Sequence, residues 1–199
     1  YLIETYHREN DGFKTIDSTE DFDGTSRDTG LQNRDSMVKL SWSPGTENRQ
    51  YFELKTGYTD KDANETYLGL SSSDFAANPN RRYGASRDDN MDTQHFRNYL
   101  RYSVEINPQA TFSAAAYYNA FNRNWFKLKE IKDVDSDGDG IIDSTPTVKL
   151  YQALAGIDDN KPLEVLKGTR AGQYEYRNNN RDYIAKGFQA TLDWSIDAG

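Results

Sequence analysis

The chain has 199 residues, with 24 Lys and Arg against 32 Asp and Glu, a net charge of −8 and a mean hydropathy of −0.95. The acid excess argues against a general affinity for nucleic acid, and the absence of cysteine excludes a disulfide framework and cysteine-based zinc sites. No apolar run reaches the roughly 18 residues of a transmembrane helix, but a transmembrane β-strand needs only about 9–11 residues with alternate ones apolar, so a hydrophilic chain can still cross a membrane.

Aromatic residues make up 13% of the chain, led by 14 Tyr, which favours strands. Tyr1 to His7 reads as a strand, and residues 8 to 32 as a polar loop with Asp11-Gly12 and Asp23-Gly24 turn signals. Ser36 to Ser43 alternates, with Val38, Leu40 and Trp42 on one face and Met37, Lys39 and Ser41 on the other. Ser43 to Asn48 is a short turn. Gln50 to Thr59 follows as a strand with Phe52, Leu54, Thr56 and Tyr58 on its apolar face.

Residues 60 to 94 form a long loop, which includes the run NETYLGLSSSDFAANPNRRYGASR from Asn64 to Arg87. It is too polar for a buried element, yet it carries aromatics and an arginine pair, so it reads as a folded, function-bearing loop. His95 to Ile106 resumes the alternation, and Asn98 breaks its apolar face once. Asn107-Pro108-Gln109 is a tight turn. Thr111 to about Asn122 is a long strand. A third long connection covers roughly 129 to 179, within which Val148 to Leu154 reads as a short helix or strand. Arg181 to Asp197 is the last strand.

Connections therefore alternate long and short. Alternation alone suits a soluble sandwich as well as a barrel. Long loops at one end and tight turns at the other suit an outer-membrane barrel. Trp42 and Trp194 lie on the apolar face near the short-turn end, as an interfacial girdle requires, and Tyr58, Phe96 and Tyr118 lie toward the other end. The pattern predicts an all-β, antiparallel fold. The chain starts mid-pattern at Tyr1 without Met and ends on a turn, which reads as a portion of a longer protein.

The loop pieces NETYLGL and DFAANPNRRYGAS resemble the TonB-dependent outer-membrane receptors, in particular the ferric-citrate branch. YHREN-DGF at 6–13, AYYNAFNRNWFKL at 116–128 and YRNNNRDYIAKGFQ at 176–189 are similar to the same branch. The resemblance implies a 22-stranded transmembrane barrel with long extracellular loops, short periplasmic turns and an N-terminal plug. Residues 1–199 would be a middle portion of about six strands, lacking the plug and the C-terminal strands. It further implies location in the bacterial outer membrane, contact with outer-membrane lipid, and TonB-energised uptake of an anionic ferric chelate through the plug, with no covalent chemistry on the substrate.

Arg81, Arg82 and Arg87, with Tyr83 beside them, stand in an otherwise acidic chain. Arg123 and Arg181 stand where strands pass into outer loops. Guanidinium forks suit carboxylates, so these residues are the candidate ligand contacts of a cationic vestibule. The competing reading is that they pair with loop carboxylates such as Asp74, Asp88 and Asp89 and only order the loop. Asp135, Asp137, Asp139, Ile141 and Asp143 in DSDGDGIID follow the spacing of a calcium loop, with Gly140 at the turn. Pro146 stands where an EF-hand has its bidentate Glu. A short calcium loop and a solvated acidic tip both fit; no other cofactor is expected.

Glu53, Lys55, Arg97, Arg101 and Glu105 face away from the apolar side, as a substrate path or as cross-strand ion pairs. No nucleophile elbow, P-loop, Rossmann glycine pattern or HExxH is present, so the expectation is a non-enzyme. The alternative functions are a soluble or surface β-sandwich that binds carbohydrate or protein through aromatic and calcium-stabilised loops, and a barrel enzyme or passive porin.

Overall fold

The computed structural model describes residues 1–17, 29–45 and 47–195. The long strands are β1 (Leu2–Asn10), β3 (Leu31–Trp42), β4 (Gln50–Ala63), β6 (Asn90–Asn107), β7 (Ala110–Val134) and β9 (Gly172–Trp194). Each pairs antiparallel with the next, and a short β8 (Val148–Lys149) adds to β7 to complete a seven-stranded sheet. A second small sheet pairs β2 (Thr15–Ile16) in parallel with β5 (Arg81–Arg82). The helices α1 (Ser72–Ala77), α2 (Leu150–Leu154) and α3 (Lys161–Lys167) all lie in the long connections.

The all-β antiparallel expectation is met. The sheet is open: among the described residues β1 and β9 each pair on one side only. The short connections, β3 to β4 and β6 to β7, fall at one end of the sheet. The three long ones fall at the other. Residues 148–154, expected as helix or strand, are both: β8 runs directly into α2. Ile196 and Asp197 of the last expected strand, and the Asp23-Gly24 turn signal, lie outside the described residues.

The strands run further than their apolar pattern. β4 continues to Ala63 and β7 to Val134, and β9 begins at Gly172. In the β7 extension the apolar residues Trp125, Phe126, Leu128, Ile131 and Val134 keep no steady period of two, so alternation gives no clear signal. Pairing nonetheless continues without a shift from Ala110↔Trp194 up to Leu128↔Tyr176. The loops are correspondingly shorter than the sequence suggests.

Register builds continuous rows across the sheet. Leu40, Leu54, Leu100, Ala116 and Phe188 are consecutive partners on one face. One row nearer the short turns, Trp42, Phe52 and Tyr102 are partners; Trp42 stacks on Phe52 at 5.4 Å and Phe52 meets Tyr102 at 4.6 Å. This face is uncovered. Leu40, Leu100, Ile184 and Phe188 are exposed, and Trp42 and Trp194 stay 62% and 65% accessible. From Ile184 to Trp194 the apolar stretch of β9 rises roughly 33 Å along the strand at about 3.3 Å per residue.

The opposite face is charged and internally paired. Arg97 donates to Asp35 at 2.6 Å and to Thr59 at 2.8 Å. Glu53 takes Lys39 at 2.8 Å and the Tyr51 hydroxyl at 2.6 Å, with Tyr99 as a third donor. Glu105 pairs with Arg49 at 3.4 Å. Of the polar side chains expected there, Glu53, Arg97 and Glu105 thus form cross-strand pairs.

The buried core sits in the long loops. Leu68, Tyr83 and Ala85 from the 64–89 connection pack with Leu128, Ile131 and Val134 of upper β7, and with Leu150, Ala153, Leu163, Val165 and Leu166 of α2 and α3. The loop expected to be too polar for burial therefore supplies part of the core. A few apolar residues, led by the fully buried Tyr83, suffice among Ser and Asn, because the strand ends supply the rest. α3 opens on Pro162 in its first turn and ends at Gly168, whose φ of 76° is the left-handed stop that glycine adopts at low cost.

Candidate functional site

The arginine-bearing loop is held by one carboxylate. Asp74, in α1, accepts from the Tyr83 hydroxyl at 2.6 Å and the Ser71 hydroxyl at 2.7 Å, and pairs with Arg81 at 3.0 Å and Lys167 at 2.9 Å. Burial pushes the Asp74 carboxyl up, but Tyr83, Lys167 and Ser71 together outweigh it and hold the group well below its ordinary range. Arg81 also donates to Asp17 at 2.7 Å and lies over the Tyr83 ring at 5.4 Å.

These contacts give each loop residue a definite place. Arg81 is committed to two carboxylates. Tyr83 is 0% exposed and braces α1 against the core, so it presents no ring surface to a ligand. Arg82 donates one terminal nitrogen to the Arg81 carbonyl at 2.7 Å, while its Nε is buried without a partner. Arg87 lies 3.6 Å from Asp88.

Arg123 and Arg181 stand elsewhere. They are direct cross-strand partners on β7 and β9, on the charged face of the sheet. Two residues further up, Trp125 faces Asn179; two beyond that, Lys127 faces Arg177. Four cations thus share one face of one strand pair, as two like-charged pairs separated by about 13 Å along the strands. Arg81 and Arg82 thus belong to the small sheet with β2, and Arg123 and Arg181 to the β7–β9 pair of the large one.

The surroundings of this second group are aromatic. His95, Phe121 and Tyr183 form the row below it, with ring centroids 5.5 and 6.0 Å apart. Above, the Lys127 ammonium lies 3.5 Å from the Tyr67 ring centroid and 4.1 Å from that of Trp125, and Tyr67 meets Trp125 edge-on at 5.7 Å. Burial, with Arg177 and Arg123 adding to it, holds the Lys127 ammonium below its usual range. Arg181 donates to Asn179 at 2.9 Å and reaches the Tyr183 hydroxyl at 3.5 Å. Arg123 Nε and Trp125 Nε1 are buried donors without an acceptor.

Trp125 follows Arg123 in the sequence reading of an aromatic-lined vestibule, but Lys127, Arg177 and Tyr67 are not site candidates there. The two-residue spacing of Arg123, Trp125 and Lys127 was the available signal, but it lies beyond the point where the strand was expected to end.

The acidic loop after β7 is partly assembled. Carboxylate oxygens of Asp135, Asp137 and Asp143 lie within 4.8 Å of one another. Asp139 is outside that group and accepts from the Ile141 amide at 2.8 Å; the Ile141 side chain is exposed. Asp135 accepts from Gly138 at 2.7 Å and Gly140 at 3.1 Å, and Asp143 from the Ser136 amide at 2.8 Å. Burial raises the Asp135 carboxyl, but the two glycine amides more than offset it and hold the group low; the Ser136 hydroxyl and amide do the same for Asp143. Three ionised oxygens at this separation form a donor set suited to a hard divalent cation.

Comparison of the chain with known protein families, with characterised proteins and with solved structures gave no match in any of the three.

Proposed function

We propose that this chain is part of an outer-membrane β-barrel receptor of the TonB-dependent kind, which takes up an anionic ferric chelate such as ferric citrate or a siderophore. The observation that carries the reading is the uncovered apolar face. A contiguous face of exposed Leu, Ile, Phe and Trp spanning five strands is far larger than the patches of a few hundred Å² usual on soluble proteins. At a strand tilt near 40° its roughly 33 Å along β9 becomes about 25 Å, the height of an outer-membrane barrel's apolar band. A soluble sandwich would need a second sheet over this face, and among the described residues there is none.

In this setting the open edges of β1 and β9 pair with further barrel strands, since unpaired backbone groups are not tolerated in lipid. The cap of helices and core residues is the extracellular end. Lys186 and Asn98 interrupt the lipid-facing side in one row. Lys186 lies four residues from Asp182 in the polar rim, close enough for its stem to carry the ammonium outward. The charged face lines the lumen and meets the plug. Recognition and gating are non-covalent, so no catalytic group is required.

The same reading places a calcium ion among Asp135, Asp137 and Asp143, where it would fasten the tip of the β7–β9 connection outside the cell.

Fractionation of cells that produce the full-length protein tests the reading, together with radioiron uptake under iron starvation. Recovery with outer membranes that needs detergent for release, and uptake that disappears on deletion of the gene, are expected. Release without detergent would overturn the membrane assignment, and unchanged uptake would overturn the transport assignment.

A further inference from the structure

We infer that the β7–β9 strand pair is itself a binding site for a small polyanion, held between the Arg123–Arg181 row and the Lys127–Arg177 row. This deepens the proposed function and rests on it for its setting, the lumen-facing side just inside the extracellular cap.

The first ground is charge. Opposite charges directly across a strand pair are favourable and like charges are not. Here two facing positions of one strand pair, four residues apart on the same face with Trp125 and Asn179 between them, both carry like positive pairs, in a chain whose net charge is −8. Among the described residues, no carboxylate lies within ion-pair distance of Arg123, Lys127, Arg177 or Arg181. On the same face nearer the short turns, Arg97 and Lys39 both have carboxylate partners. Lys55 and Arg101 on this face also have no ion pair among the described residues, so what sets the upper β7–β9 seam apart is that its cations face one another in like-charged pairs.

The second ground is unused donors. Arg123 Nε and Trp125 Nε1 are both removed from solvent with no acceptor, two residues apart on one face of β7. A buried donor left unmade costs about 1–3 kcal/mol, so a pair of them calls for an acceptor the chain does not supply. Oxyanion groups meet both needs: they neutralise the arginines and accept from the two nitrogens. Guanidinium forks favour carboxylate and phosphate alike. The ligand class is thus a small molecule with at least two oxyanion groups, and the roughly 13 Å between rows allows a chelate rather than a single inorganic ion to touch both.

The third ground is shape. His95, Phe121 and Tyr183 floor the site, and Tyr67 from the cap closes over Trp125 and Lys127. Tyr67 belongs to the same connection as Asp89, whose carboxylate accepts from the Tyr67 amide at 3.2 Å and the Leu128 amide at 2.6 Å. The lid residue is thereby fastened to the strand that carries the cations.

Calorimetric titration of the purified full-length protein tests the site with three probes: citrate, ferric citrate and inorganic pyrophosphate. At least one should bind, with affinity that falls as sodium chloride rises. The R123Q/R181Q variant should bind it at least tenfold more weakly, and Arg49→Gln, at the short-turn end, should not change it. Arg177→Gln removes an exposed side chain, keeps the test open if the double variant misassembles, and should weaken binding at least threefold. Preference for citrate over pyrophosphate assigns carboxylates, and the reverse assigns phosphates. Equal affinity in wild type and variants, or no binding of any probe, overturns the site. Normal insertion and iron uptake by R123Q/R181Q would remove the seam while leaving the receptor reading intact. Arginine-dependent binding by a protein that never enters the membrane would do the opposite.

Discussion

Arg123 of β7 and Arg181 of β9 stand directly opposite each other, and neither has a carboxylate partner among the described residues. Such a pair costs stability in the absence of a counter-charge. Replacing Arg181 with Glu turns it into a cross-strand ion pair, worth about 0.2–1 kcal/mol. We expect Arg181→Glu to raise the thermal midpoint slightly, or leave it unchanged, while abolishing anion binding. A fall in stability would mean that the two guanidinium groups are not in repulsive contact.

A second cross-strand pair makes a packing prediction. Tyr117 faces Gly187, and a Cβ at Gly187 would lie 2.6 Å from the Tyr117 hydroxyl oxygen and 2.7 Å from Cζ. The ring covers the glycine and would have to swing away. Gly187→Ala should destabilise the protein by about 1–2 kcal/mol, a typical overpacking cost. In a Tyr117→Ala background the same substitution should cost close to nothing. Chemical denaturation of the four proteins in a double-mutant cycle reads the difference.

The cap formed by the long connections should loosen in acid before the sheet does. Asp74 holds α1, β5 and α3 together, and its folded-state pKa lies below the ordinary 3.8. A depressed carboxyl contributes stability that is fully present above its unfolded value and is lost as pH falls toward the folded one. Hydrogen exchange of residues 68–86 and 150–168 should therefore accelerate below about pH 4 while the lower strands stay protected. Asp74→Asn should weaken the cap at neutral pH by about 1–3 kcal/mol, since it leaves Arg81 and Lys167 short of a charge partner. Uniform loss of protection across cap and sheet would contradict the role given to Asp74.

Calcium should fasten the loop between β7 and β8. Added calcium is expected to slow proteolysis within residues 135–143 and to leave the rest of the digestion pattern unchanged. D135N/D137N should abolish this, because two of the three gathered carboxylates are gone. Asp139→Asn should matter less, as that side chain caps the Ile141 amide instead. Protection by calcium that persists in D135N/D137N would place the ion elsewhere.

How far the sequence reveals this arrangement depends on whether a strand has two chemically different faces. Where it does, as in Val38-Leu40-Trp42 or Leu192-Trp194, strand and face are legible from alternation. Beyond Asn122 the apolar residues of β7, Trp125, Phe126, Leu128, Ile131 and Val134, lose the period of two, so the strand reads as loop although its pairing with β9 continues. The seam cations were missed for that reason: Lys127 and Arg177 look like loop residues until the register sets them opposite each other. The cap was illegible for a different reason. Leu68, Tyr83 and Leu166 are isolated apolar residues, and only tertiary contact gathers them into a core. The arginine pair at 81–82 stood out in the sequence because it is contiguous, yet Arg81 proves to be bound to Asp17 and Asp74.

The central claim is that the apolar face of the sheet lies against lipid, and β9 tests it most directly. These 199 residues contain no cysteine, so within them each introduced label is the single one. Spin labels at 184, 188, 190, 192 and 194, and at the intervening 185, 189, 191 and 193, should be measured in the full-length protein reconstituted in bilayers. Power saturation with oxygen and with a water-soluble nickel chelate reports the environment of each. The account predicts a period of two, with the even positions accessible to oxygen and shielded from nickel and the odd positions the reverse. Equal access of the nickel chelate to both sets would contradict it.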